Sequence, residues 1–201
     1  MNEQNFSPND SLKLIDDMIN QAKNRVTENG FLFLLWGWVI FFNALLTFIS
    51  IKFNLFKTPG LIWISCIFTT IYQVYYLIRK KKSEKVKTYS DSMIDHIWIC
   101  FGFAMFTLSV IATKNNLWEN INPIVILLYG IPTYLSGRVM QFKPLVIGGI
   151  SCWLLAIIAS FLQPLYYLIV LDVAVAVAWI IPGYILRNKY NLQNKLNIHN
   201  V

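Results

Sequence analysis

The sequence alternates between long apolar stretches and short polar segments, and the apolar stretches dominate the middle of the chain. Six such stretches contain a single charged residue between them, and most approach the roughly 20 residues that a helix needs to cross the hydrocarbon core of a bilayer. A helix satisfies its backbone hydrogen bonds internally, as hydrocarbon surroundings demand. The pattern therefore predicts an all-α, polytopic transmembrane bundle over residues 31–187, with about six spans at 31–51, 61–78, 97–113, 121–136, 144–162 and 165–186.

Two of these stretches contain helix breakers near one end. The fourth is short and contains Gly130 and Pro132, so we expect a broken or tilted span there. The sixth contains Pro182 and Gly183. Paired breaks of this kind mark binding sites in some transporters and are plain kinks in other helices. Four further glycines are predicted to let helix backbones approach closely, at Gly37, Gly102, Gly148 and Gly149.

A different periodicity marks the polar segment 1–30 that precedes the first span. Ser7 and Pro8 form a helix start signal, and apolar residues then recur every three or four positions. This pattern predicts an amphipathic helix over about 8–28. Its apolar face is a candidate partner-binding face, formed by Leu12, Ile15, Ile19, Ala22 and Val26. The simplest alternative is that this helix docks on its own bundle, whereas the acids at Asp16 and Asp17 argue against a dedicated lipid-binding helix.

The distribution of basic residues predicts the orientation of the spans. Of the 17 Lys and Arg residues, 14 fall on the side of the predicted bundle that holds both termini. Positively charged loops stay in the cytoplasm during insertion, so residues 1–30 and the polar tail 188–201 are predicted to be cytoplasmic. The same rule accounts for the net charge of +7 through loops and lipid headgroups, and no nucleic-acid partner is expected.

The overall composition fits a membrane protein and lacks the motifs of common enzymes. Hydrophobic residues make up 56% of the chain and charged residues 13%, which lies outside the ordinary range of soluble domains. No zinc-protease, serine-hydrolase or nucleotide-binding motif is present in the sequence. The three cysteines lie far apart without metal-site spacing. We therefore expect a non-enzymatic protein with no cofactor and no metal ion.

Asp172 is the strongest candidate for a functional residue. It is the only acid inside the six stretches, and an acid at the centre of a bilayer costs about 2.5 to 3.5 kcal/mol on insertion scales. We expect it to face inward as a protonated or water-linked carboxyl. Asn43 is predicted at nearly the same depth, so the site is expected to combine Asp172 with Asn43 and Gln73. The alternative is that these side chains only hold helices together.

Several membrane-edge sequences resemble a family of small uncharacterised bacterial membrane proteins with six helices. The resemblance lies in Asn29-Gly30-Phe31, Leu34-Leu35-Trp36-Gly37-Trp38, Ser136-Gly137-Arg138, Phe142-Lys143-Pro144-Leu145 and Ile181-Pro182-Gly183-Tyr184. It covers most of the chain and implies a multi-pass protein of the bacterial cytoplasmic membrane. Members are often encoded beside a small winged-helix transcriptional regulator, so the resemblance also implies a functional link to such a regulator. It implies no catalytic or binding residue.

Two functions follow as hypotheses. In the first, the protein is an interaction or regulatory component of the membrane, which recruits a protein partner or a second copy through the amphipathic helix and the basic loop Arg79–Lys87. In the second, it is a small transporter or channel with Asp172 as an intramembrane proton or cation site.

Overall fold

The helices of the protein follow the apolar stretches of the sequence. The computed structural model describes residues 30–83 and 89–199, and its regular elements in these ranges are all helical. The prediction of an all-α fold is therefore confirmed for these residues. The α-helices are α1 (Phe31–Phe53), α2 (Ser65–Ser83), α3 (Tyr89–Asn115), α4 (Asn122–Val139), α5 (Lys143–Ser160), α6 (Tyr167–Val175) and α7 (Ile181–His199). Short 3₁₀-helices precede three of them, at Pro59–Ile64, Trp118–Asn120 and Pro164–Tyr166.

The last two α-helices form one continuous helix. A π-helical turn at Ala176–Ile180 joins α6 to α7, and we call the helix from α6 through α7 the sixth helix. Of the six helices in the described residues, five are long and apolar enough to cross a membrane, and α4 is the exception. The predicted amphipathic helix, with its face at Leu12, Ile15, Ile19, Ala22 and Val26, lies outside the described residues.

The helix breakers have different consequences in the two helices that contain them. α4 runs without interruption through Pro132, so the predicted break in the fourth span does not occur. Pro182 lies in the first turn of α7, directly after the π-helical turn. Proline lacks an N–H group, and its ring clashes with the carbonyl four residues earlier. The wider π-helical turn accommodates such a local mismatch within a continuous helix.

Burial divides the bundle into an inner and an outer group of helices. In the most apolar 18-residue stretch of each helix, the buried share of residues is 61% in the sixth helix, 39% in α1 and 33% in α5. The corresponding share is 6% in both α2 and α3. α4 joins the inner group, since it packs along α5 and carries the fully buried Ile126. The core therefore lies between α1, α4, α5 and the sixth helix, while α2 and α3 lie on its outside.

Adjacent glycines let α5 contact two neighbours at backbone distance. A Cβ atom at Gly148 would lie 2.7 Å from the Cα of Ala178 in the π-helical turn. A Cβ atom at Gly149 would lie 2.7 Å from the backbone nitrogen of Tyr134 in α4. Real Cβ atoms do not approach so closely, so α5 is held between α4 and the sixth helix by this glycine pair. Gly102 has no such neighbour within 4 Å, and the prediction of a close approach there is wrong.

Candidate functional site

Asp172 lies in the core of the bundle, as the sequence predicts for a lone intramembrane acid. It is the sixth residue of α6, about 7.5 Å along the axis from the first at about 1.5 Å per residue. The residue is 8% exposed, and its Oδ1 atom is buried without a hydrogen-bond partner. Among the described residues, the buried side-chain oxygens of Ser50 and Ser136 also lack a hydrogen-bond partner, but Asp172 is the ionisable one of the three. Buried polar atoms are nearly always hydrogen-bonded, so an unpartnered carboxyl oxygen needs an explanation.

Contacts between neighbouring helices fix the level of Asp172 in the bundle. A Cβ atom at Gly37 of α1 would lie 2.9 Å from the Ile180 side chain, and α1 is antiparallel to the sixth helix. Eight residues after Gly37 along α1 comes Leu45, and eight residues before Ile180 on the sixth helix comes Asp172, so these two residues lie at the same level. Leu45 directly follows the fully buried Ala44. The same reasoning from Gly148 and Ala178 places Cys152 and Ala156 of α5 near this level. Near the level of Asp172 thus lie three small side chains without an oxygen atom, those of Ala44, Cys152 and Ala156, and the buried Thr47 lies two residues beyond Leu45 with its hydroxyl bonded to the Asn43 carbonyl.

A layer of aromatic side chains lies two turns along the sixth helix from Asp172. The Trp179 indole N–H donates to the Thr133 hydroxyl at 2.8 Å, and the Thr133 hydroxyl donates to the Tyr129 carbonyl at 2.7 Å. The ring of Trp179 also packs on those of Tyr129 and Trp98, with centroids 4.7 and 5.8 Å away. Sequence reasoning missed this layer, although a tryptophan inside a predicted span, three residues before a proline, was its available signal. The layer fills the core between Asp172 and the α7 end of the bundle.

Asn43 does not join Asp172 but holds α2 against α1. Its amide nitrogen donates to the Ser65 hydroxyl at 2.6 Å, and the Ser65 hydroxyl lies 2.9 Å from the Asn43 amide oxygen. The amide nitrogen also lies 3.4 Å from the Cys66 sulfur. The hydrogen bonds of Asn43 are therefore directed to the start of α2, and the expected pairing with Asp172 is wrong.

Gln73 takes part in a second contact between the same two helices. The Trp36 indole N–H donates to its side-chain oxygen at 2.7 Å. Trp36 lies seven residues before Asn43 on α1, and Gln73 lies eight residues after Ser65 on α2, as expected for antiparallel helices. We call these four residues the polar clasp. Of the three predicted site residues, Asn43 and Gln73 thus belong to the clasp, and Asp172 stands apart from it.

The polar clasp predicts a measurable coupling between Asn43 and Ser65. In a double-mutant cycle with Asn43→Ala and Ser65→Ala, we expect a coupling of about 0.6 to 1.7 kcal/mol, the range found for hydrogen bonds between membrane helices. Unfolding in detergent measures it. Asn43→Ala with Thr70→Val is the matched control, because the Thr70 hydroxyl donates to the Cys66 carbonyl within its own helix. Equal coupling in the two cycles would contradict the clasp.

The described residues thus define a helical bundle with five helices able to cross a membrane, an isolated core acid and a polar clasp between α1 and α2. Comparisons of the chain with protein-family models, with curated proteins and with solved structures found no match. The resemblance to a bacterial membrane family therefore stays a prediction.

Proposed function

We propose that the protein is an integral membrane protein that crosses the cytoplasmic membrane of a bacterium six times, with both termini in the cytoplasm. The exposed surfaces support this, because Phe103 and Phe106 of α3 are 71% and 69% exposed, which suits contact with lipid rather than water. α4 packs antiparallel along α5, which is itself apolar enough to span, so α4 supplies the sixth crossing. The 14 basic residues then lie on the cytoplasmic side.

Within this bundle, we propose that Asp172 is the proton-binding residue of a small, non-enzymatic transporter or channel. The observation that carries the proposal is the buried Oδ1 atom without a partner. A polar residue whose role is only to join helices would have its side-chain polar atoms in hydrogen bonds, as Asn43 has in the polar clasp. Ionisable residues inside membrane bundles mark proton relays and ion pathways.

A proton suits this site better than a metal cation. Hard cations such as Na⁺, Mg²⁺ and Ca²⁺ require several oxygen ligands, which replace their hydration shells. The side chains near the level of Asp172 include Ala44, Cys152 and Ala156, which offer no oxygen ligand. A buried carboxyl oxygen without a hydrogen-bond partner is neutralised most simply by a proton.

Proton flux in reconstituted vesicles tests this function. The wild-type chain, Asp172→Asn and the control Glu119→Gln are each placed in liposomes with an internal pH dye and a potassium diffusion potential. Glu119 lies in the 3₁₀-helix before α4 and is exposed. We expect the wild type and Glu119→Gln to carry protons, and Asp172→Asn to fall to the rate of protein-free vesicles. Equal rates for the wild type and Asp172→Asn would overturn the proposal.

The second candidate function is an interaction or regulatory component of the membrane. The observation in its favour is the apolar face of the predicted amphipathic helix, at Leu12, Ile15, Ile19, Ala22 and Val26. Flux in the same vesicles and a cellular phenotype together separate the two functions when a chain lacking residues 12–26 is added to the comparison. Flux that survives this deletion and is lost in Asp172→Asn supports transport. A cellular phenotype that survives Asp172→Asn and is lost with the deletion supports the interaction function instead.

A further inference from the structure

A groove of about 640 Å³ runs between α3 and α4 on the outer surface of the bundle. This volume lies within the range of about 300 to 1,000 Å³ that is usual for binding sites of small organic molecules. Its wall on the α4 side consists of Leu128, Ile131, Pro132 and Leu135, and Phe101 and Ala104 line the α3 side. The groove is therefore apolar along most of its length.

Polar groups of the groove are confined to one end. Ser92 and His96 line it in the first turns of α3, at the same end of the bundle as Leu135 near the end of α4. The His96 Nδ1 atom lies 2.6 Å from the Ser92 carbonyl oxygen, which can only accept, so Nδ1 carries the proton of this hydrogen bond. The Nε2 atom is then the ring nitrogen left for a ligand.

Arg138 adds a positive charge at this end. It is exposed and lies three residues after Leu135, so it continues the α4 face that lines the groove. The acids nearest in sequence are Asp91 and Asp95, each one position before a lining residue and so rotated by about 100° around α3. Both already have interactions within the chain. The groove thus combines a long apolar wall with a cationic mouth.

We propose that this groove binds one acyl chain of an anionic phospholipid, with the lipid phosphate held at the mouth by Arg138. The proposal rests on the membrane topology given above and is independent of the role of Asp172. In that topology the mouth lies at the cytoplasmic headgroup level, and the groove extends from it towards the middle of the bilayer. A lipid tail enters such a groove sideways, without leaving hydrocarbon. Arginine forms two parallel hydrogen bonds to a phosphate, which favours an anionic headgroup over a zwitterionic one.

Native mass spectrometry of the full chain in detergent tests the proposal, with phosphatidylglycerol and phosphatidylcholine of identical acyl chains as probes. We expect the wild type to prefer phosphatidylglycerol, and Arg138→Gln to weaken that binding about fivefold. Arg187→Gln is the matched control, because Arg187 is exposed at the same end of the bundle on the sixth helix, away from the groove. It should bind phosphatidylglycerol as the wild type does.

A second pair of variants tests the apolar part of the groove. Ala104→Phe places a ring inside it and is expected to lower the binding of both lipids. Gly102→Phe adds the same ring to α3 outside the groove, at a position where a Cβ atom meets nothing within 4 Å. This control is expected to leave binding unchanged. Equal binding of the two lipids by the wild type would overturn the proposal. So would equal losses in the two arginine variants, which would show general attraction to charge, or equal losses in the two phenylalanine variants.

Discussion

Gly149→Ala is expected to lower the free energy of unfolding by about 3 kcal/mol, at the upper end of the usual cost of overpacking. The new Cβ atom would lie 2.7 Å from the backbone nitrogen of Tyr134 and 2.8 Å from its Cα atom. A flexible side chain can rotate away from such a contact, but a helix backbone cannot. α4 and α5 must therefore separate, and the helix pair with the most extensive contact in the bundle loses packing along its length.

Gly102→Ala is the matched control for this substitution. Both glycines lie inside long helices, but a Cβ atom at Gly102 meets nothing within 4 Å. Alanine favours the helix over glycine by about 0.5 to 1 kcal/mol, so the control is expected to stabilise slightly. Thermal unfolding of the two variants in the same detergent measures both effects. Equal changes in stability would contradict the close packing of α4 on α5.

The positions of the helices follow directly from the sequence, because long apolar stretches and backbone hydrogen bonding leave few alternatives. The main boundary differences are the end of α7, which continues to His199 rather than ending near residue 186, and the start of α3, which begins at Tyr89 rather than near residue 97. Its first two turns contain Asp91 and Asp95, which reduce hydropathy without disfavouring a helix. Hydropathy marks the part of a helix that suits hydrocarbon, and the helix itself extends further.

The contacts between helices were harder to predict, because they depend on rotation about each helix axis as well as on depth. The helix contacts place Asp172 level with Leu45 of α1, two residues from Asn43. The direction of the Asn43 side chain around the α1 axis was not predictable. Ala44 faces the core with no exposed surface, and Asn43, about 100° around the helix, meets Ser65 instead. A single sequence does not show which neighbour each helix face meets.

Chemical labelling of Asp172 should give an all-or-none result. An apolar carbodiimide such as N,N′-dicyclohexylcarbodiimide partitions into the bilayer and adds to a protonated carboxyl group. We expect it to label Asp172, because this carboxyl lies in the core of the bundle and its buried Oδ1 atom has no hydrogen-bond partner. Asp172→Asn removes the reactive group and should abolish the label. A water-soluble carbodiimide should instead label the exposed Glu119.

Mass spectrometry of the chain labelled in native membranes tests the central claim most directly, namely that Asp172 is a proton-binding carboxyl inside a membrane bundle. The claim predicts that the apolar reagent modifies the peptide containing Asp172 and that the water-soluble reagent leaves it unmodified. An unmodified Asp172 after treatment with the apolar reagent, or equal modification by both reagents, would contradict it.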